Sequence, residues 1–199
     1  YKSAVSQSFK PSEIIIINNG KYQYNDKDFS FINNSKFKLK IINNKKNFFQ
    51  SKARNLGAKN SKNKYLCFLD DDDTWEIDYL KEAKRIIEKK KPNIILSKMF
   101  IKKRLFKDPS KLSMSNILIK NPGVNGSNII IEKKTFFELK GYDYRLEPSE
   151  DKSLVIDALI KKKKICVSTK KIFFSSHTQS RQITNYDRLS KGVNNFYKK

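Results

Sequence analysis

The 199 residues carry 43 Lys and Arg against 20 Asp and Glu, a formal net charge of +23, with two cysteines and one histidine. So few thiols and imidazoles exclude a Cys-rich zinc module and a disulfide scaffold. The sequence also lacks G-x-S-x-G, G-x-G-x-x-G and G-x-x-x-x-G-K-[ST], so α/β-hydrolase, Rossmann and P-loop readings have no local support. The charge favours an anionic partner: nucleic acid, a phosphorylated substrate or an anionic membrane face. No apolar run approaches the ~20 residues of a transmembrane helix. Cys67 and Cys166 lie in apolar strand-like runs, which suits reduced, buried thiols in a cytosol. The chain starts at Tyr1 rather than Met and reads as a fragment or a trimmed product.

Residues 1–9 read as the end of a helix stopped by Pro11. Glu13 and the four isoleucines after it predict a buried strand, because short β-branched runs bounded by turn signals are typical of parallel sheets. Asn18-Asn19-Gly20 predicts a turn. Residues 37–42 alternate and predict a second strand. A helix follows over 48–60, with Phe49, Ala53 and Leu56 on its inward face. Tyr65–Leu69 is the clearest strand. Ile77, Leu80, Ala83 and Ile87 predict a helix over 75–90 with one buried stripe. Pro92 and a strand over 93–100 come next. The second half predicts a strand at 127–131, helices at 132–139 and 150–162, strands at 165–168 and 171–176, and a terminal helix or tail. Strands alternating with helices imply right-handed crossovers and an α/β fold with a mostly parallel sheet.

The most informative stretch is Phe68-Leu69-Asp70-Asp71-Asp72-Asp73-Thr74-Trp75. Four consecutive acids follow an apolar strand in an otherwise basic chain. Two carboxylates ~6 Å apart repel by about 3 kcal/mol at an effective dielectric of 20. A structured, half-buried cluster of this kind calls for a cation, and all-oxygen ligands suit Mg²⁺ or Mn²⁺. Open α/β sheets bind ligands beyond the carboxyl ends of their strands, where this cluster lies. Asp73 is also placed to cap the following helix, with Glu76 as its capping-box partner; that leaves Asp70, Asp71 and Asp72 to explain.

Ala53-Arg54-Asn55-Leu56-Gly57, followed by Lys64-Tyr65-Leu66-Cys67-Phe68-Leu69 and the acidic run to Trp75, resembles family 2 glycosyltransferases of the GT-A fold. Their pattern is an A-R-N-x-G helix, a strand, then F-L-D-x-D-D, and the likeness covers residues 1–180. The resemblance implies a central, mostly parallel sheet flanked by helices, and inverting transfer of a sugar from a nucleotide-sugar donor to an acceptor hydroxyl. It further implies that Asp70 and Asp71 sit in the nucleotide-sugar site, with Asp70 touching the nucleoside. Asp72 would then hold Mn²⁺ or Mg²⁺ on the diphosphate. Arg54 would contact the donor from the cleft edge. The resemblance also divides the chain into a donor half over 1–98 and an acceptor half over 99–180, with 181–199 as a tail.

Asp151 opens a helix whose Leu154, Val155, Ala158 and Leu159 lie at +3, +4, +7 and +8, so it shares the buried stripe. A helix N-terminus favours its ionised form, which a general base requires. By itself this is an ordinary first-turn acid; the resemblance to the family's E-D motif, here Glu150-Asp151, assigns Asp151 as the base. His177 follows the last strand, and the resemblance places it by the metal or diphosphate. Asn125-Gly126-Ser127 resembles the small-residue segment entering the acceptor half, with Gly126 permitting close backbone approach.

Two departures stand out. The family's opening strand is absent, since residues 1–9 look like the helix that follows it. Ile17-Asn18-Asn19-Gly20 also stands where the family has Asp-Asp-Gly; Asn19 retains a side chain that donates to and accepts from a base. The expected partners are a nucleotide-sugar donor and a glycan or lipid-linked acceptor in capsule or lipooligosaccharide synthesis. Peripheral contact with an anionic membrane at the inner face of the plasma membrane is also expected, and no specific nucleic acid. The alternatives are a truncated non-catalytic remnant and a basic nucleic-acid-binding protein using the lysine clusters at 89–91, 102–104 and 161–164.

Overall fold

The computed structural model describes residues 1–25, 27–29, 37–44, 49–101, 104–174, 190, 194–196 and 198. The helices are α1 (Lys2–Val5), α2 (Gln50–Asn60), α3 (Tyr79–Lys90), α4 (Met114–Ile119), α5 (Lys133–Glu138) and α6 (Glu150–Ile160). The strands are β1 (Glu13–Asn18), β2 (Lys38–Asn43), β3 (Tyr65–Cys67), β4 (Thr74–Trp75), β5 (Ile94–Ile101), β6 (Arg104–Lys107), β7 (Ile129–Glu132) and β8 (Ile165–Phe174).

The strands form two sheets. β1 and β2 pair in parallel, from Glu13 opposite Lys38 to Asn18 opposite Asn43. The larger sheet has the order β3-β7-β5-β8-β4, with β6 on β5. β5 and β8 are parallel, whereas β3–β7, β5–β7, β5–β6 and β4–β8 are antiparallel. The expectation of a mostly parallel sheet is therefore corrected: the sheet is mixed. Two of the antiparallel pairings come from β7, which inserts between β3 and β5 and runs against both; β4 on β8 and β6 on β5 supply the others.

The Ile-rich runs follow from burial on both faces of the larger sheet. Ile94 and Leu96 of β5 and Ile129 and Ile131 of β7 point into one core with Phe68, Phe136, Leu154 and Val155. Ile95 and Ile130 point the other way, onto Trp75, Tyr79, Ala83 and Ile86. The period of two along each strand sorts neighbouring isoleucines into different cores.

Three elements differ from expectation. The 75–90 helix begins at Tyr79, because Thr74 and Trp75 are drawn into pairing with Phe173 and Ile172. Asp73 thus lies before a strand and caps no helix. The helix at 1–9 spans only Lys2–Val5. The two predicted C-terminal strands are one, β8, with a register shift opposite Ser97 and Lys98. The pattern reading missed β6 and α4. Cys67 and Cys166 are free thiols, half-buried rather than buried. Among the described residues no helix is long and apolar enough to cross a membrane.

Glu13 fastens the smaller sheet to the connection between α2 and β3. Its Oε1 accepts from Ser61 Oγ at 2.7 Å, Lys62 N at 2.7 Å, Asn63 N at 3.2 Å and Asn63 Nδ2 at 2.5 Å. Burial works to raise the pKa of this carboxyl, but the four donors together hold it below the ordinary value. The sign follows: stability from Glu13 is present above the unfolded-state pKa and is lost as pH falls through the folded one. Glu13→Gln should lower stability at pH 7 by about 1 kcal/mol. Urea midpoints from pH 7 to pH 3 should show that gap closing; equal midpoints at pH 7 would remove Glu13 from this role.

Candidate active site

The acidic run joins β3 at one edge of the larger sheet to β4 at the other, so it lies at the strand ends. Asp71 and Asp72 are exposed, Asp70 is half-buried and Asp73 is buried. Ser127, itself buried, supports the loop from below. Its Oγ accepts from Asp70 N at 3.0 Å, and its carbonyl accepts from Trp75 Nε1 at 3.1 Å. Ser127 is held by a short 3-10 turn, Gly126–Asn128, closed by a reciprocal capping box between Asn125 and Asn128. Gly126 and Ser127 are buried beneath the acidic tip.

Arg54 is the centre of the site. The helical spacing predicts an Arg54 that reaches the cleft edge, with Phe49, Ala53 and Leu56 turned inward. The structure buries Ala53 as expected, but with Ser51, Arg54 and Ala58, and leaves Phe49 exposed. Arg54 Nη2 donates to both carboxylate oxygens of Asp70 at 2.8 Å, and Nη1 donates to Glu150 Oε1 at 3.0 Å. The Arg54 and Glu150 side chains are 8% and 7% exposed. Cζ stands 5.5 Å from the centroid of the Tyr142 ring. Burial opposes the charge on the guanidinium, but the carboxylates of Asp70 and Glu150 hold it firmly protonated.

Two neighbours on the same face of α2 reach the same segment. Asn55 Nδ2 donates to Tyr142 O at 2.8 Å, and Tyr142 N donates to Asn55 Oδ1 at 2.9 Å. Ser51 N donates to Glu147 Oε1 at 2.6 Å, and Ser51 Oγ donates to the same oxygen. Residues 51, 54 and 55 share a helix face because they are spaced i, i+3, i+4. A polar stripe thus docks α2 onto residues 142–150, where an apolar stripe was expected.

Asp151 lies beside this cluster and is buried. Its Oδ1 accepts from Lys152 N at 2.6 Å. Its pKa is pushed up to about 8, chiefly by burial and then by the neighbouring Glu150, with Arg54 pulling the other way. Glu150 is raised as well, again first by burial. The helix N-terminus does not keep Asp151 readily ionised, as the sequence suggested, because desolvation outweighs it. Tyr142, Lys107 and Lys152 also face this carboxylate: burial lowers both lysines and Asp151 partly restores them. Pattern reading gave no sign of Lys107, since it lies on the unrecognised β6.

Asn19 lies at the end of β1, in the smaller sheet, where its Oδ1 accepts from Asn44 Nδ2 at 2.9 Å. The adjacent Asn18 is structural, tying Gly20 N and Asn43 together. His177 lies outside the described residues, as does most of the 181–199 tail. Among the described residues no group of three or more His, Cys, Asp and Glu could hold a metal unaided. Exposed carboxylates at the tip still fit a hard cation of the Mg²⁺ type, which takes one or two carboxylates and completes its shell with substrate phosphates and water.

This geometry can be set beside known proteins. Residues 1–145 match the family model described as glycosyl transferase family 2. An uncharacterized glycosyltransferase of Haemophilus influenzae is 28% identical over 133 residues, covering 62% of this chain and 45% of that protein. The chain thus spans under half the length of that curated relative. Among solved structures, S. aureus TarS 1–349 in complex with UDP-GlcNAc superposes with a TM-score of 0.74 at 18% identity, over 93% of this chain and 56% of that one. The mannosyltransferase PcManGT from Pyrobaculum calidifontis, in complex with GDP-Man and Mn²⁺, gives 0.65 at 10% identity, over 90% and 52%. At such identities these two likenesses speak to the fold alone, and the fold they share is GT-A. The family expected from the A-R-N-L-G and F-L-D-D-D motifs is the one matched across most of the chain: this protein belongs to glycosyl transferase family 2.

Proposed function

We propose that the chain moves a sugar from a nucleoside-diphosphate-sugar donor to an acceptor hydroxyl, with inversion at the anomeric carbon. The observation that carries this reading is the juxtaposition of exposed carboxylates at Asp71 and Asp72 with a buried carboxylate of raised pKa at Asp151, through Arg54. In this reading Asp70, Asp71, Asp72 and Asn19 form the donor end, with Arg54 supporting Asp70. Asp72, with His177, would hold Mn²⁺ or Mg²⁺. The ion, when bound, would offset the diphosphate charge and so ease its departure.

The residues of the chain do the rest. Asp151 takes the proton of the acceptor hydroxyl as its oxygen bonds to the anomeric carbon. The bond from that carbon to the diphosphate breaks on the opposite face, and the nucleoside diphosphate leaves with the electron pair. A base with a pKa near 8 suits this work near neutral pH, because correct protonation state and proton affinity are balanced there. The ligands bound to the two structural neighbours, UDP-GlcNAc in one and GDP-Man with Mn²⁺ in the other, support the donor class. We further propose residues 1–98 as the donor half, 99–180 as the acceptor half, and a place in bacterial surface-glycan synthesis. The lysine-rich surface supports work in the cytoplasm against an anionic membrane face.

A screen of nucleotide sugars with and without Mn²⁺ tests the class. Asp151→Asn should lower turnover by about 10²–10⁴-fold while leaving donor affinity near parental. Unchanged turnover would remove Asp151 as the base. Asp72→Ala should abolish the Mn²⁺-dependent part of UDP binding, read by calorimetry.

Ionisation of Asp151 also makes a stability prediction. Its folded pKa lies above its unfolded one, so its contribution is greatest below about pH 4 and declines until pH passes about 8. Asp151→Asn, which cannot ionise, should exceed the parent in stability at pH 9 by on the order of a few kcal/mol and match it near pH 4. Parallel pH–stability curves would contradict this.

A further inference from the structure

Arg54 contributes something that donor contact does not describe. Its two terminal nitrogens are both engaged by carboxylates from different parts of the chain, Asp70 after β3 and Glu150 at the start of α6. Its Nε is buried without a hydrogen-bond partner. The carboxylates therefore set the orientation of the guanidinium, even though one of its own donors goes unused. Glycine at 126 completes the fit: a Cβ there would fall 2.8 Å from Arg54 Nε and closer still to Cζ and Nη2. Real Cβ atoms do not approach so near, so any side chain at 126 would push the guanidinium off Asp70 and Glu150.

We propose that Arg54 is a positioning residue that locks the acidic tip after β3 to the acidic start of α6, and that position 126 is glycine in order to admit it. The fork geometry matters as well as the charge. Two nitrogens held rigidly apart serve two carboxylates at once, which one ammonium on a flexible stem does not do. Ser51 and Asn55 prevent α2 from sliding, since both bind the 142–150 segment on either side of the guanidinium contact. The tip and the start of α6 then move as one body. In the reading proposed above, on which this inference rests for the meaning of the two ends, the donor end and the proton-accepting end are kept in fixed register. Coupling of this kind is reciprocal: a change at Glu150 is felt at Asp70, and the converse.

Two measurements on the full chain test this. The first is a cycle of Asp70→Asn, Glu150→Gln and the double variant by equilibrium unfolding. Each single change leaves Arg54 one carboxylate and should lower the folding constant less than tenfold. The double change strips a buried cation of both partners and should lower it at least fivefold beyond the product of the singles; a double variant that fails to fold while both singles fold is the same result in its limit. In a Gly126→Ala or Arg54→Met background that excess should fall to within twofold. The second is affinity for UDP with Mn²⁺, which Glu150→Gln and Arg54→Lys should each weaken at least threefold in folded protein. Multiplicative singles in the parent would overturn the proposal, and so would unmoved UDP affinity in both variants. If the parent binds no UDP, the donor class proposed above fails, while the unfolding cycle still decides the role of Arg54.

Discussion

One guanidinium stands among three carboxylates in a place with little water. Arg54 can compensate two of them, and it does so for Asp70 and Glu150 at hydrogen-bonding distance. Asp151 accepts only a backbone N–H, and burial followed by Glu150 pushes its pKa up to about 8 against the pull of Arg54. Stripping Arg54 of both carboxylates would cost on the order of 3–5 kcal/mol, because the cation would be stranded away from solvent. The arrangement accordingly holds together elements that hydrophobic packing alone would leave loosely oriented.

The rest of the fold can be read as support for that cluster. The two-faced sheet supplies rigidity: isoleucines of β5 and β7 alternate between two cores and leave those strands no freedom to rotate. Strand β7 is preceded by the turn that carries Gly126 and Ser127, which admit the guanidinium and hold the backbone of Asp70. Trp75 stacks on Tyr79, 4.9 Å between centroids, and its indole N–H closes on the carbonyl of Ser127. The acidic loop is thus fixed at both ends and from beneath, which leaves Asp71 and Asp72 as its exposed part.

The charge distribution separates scaffold from site. The chain carries +23 overall, yet among the described residues the buried charged side chains are Arg54, Asp73, Glu147, Glu150 and Asp151. Lys107 and Lys152 stand at the margin, half-buried and turned toward Asp151, and each is depressed first by its own burial. The positive surface attracts anions toward the chain.

Most elements, both ends of the acidic run and the family motifs were legible in the sequence, because they depend on local periodicity, on turn chemistry and on consecutive residues. The short β4 was not, since Thr74 and Trp75 become a strand only by pairing with residues a hundred positions away. The antiparallel insertion of β7 was hidden for the same reason: its three isoleucines read alike in either direction. The inward face of α2 was misread because hydrophobic spacing assumes that apolar side chains are the ones buried. Here Ser51 and Arg54 are buried, and Asn55 beside them is tied down, because Glu147, Glu150 and the backbone of Tyr142 satisfy them. The sequence by itself determined which acids exist and where strands and helices can form. Only the tertiary structure decided which acid is compensated and which is left to hold a proton, because that depends on distance to one cation and on exclusion of water, and neither quantity is written along the chain.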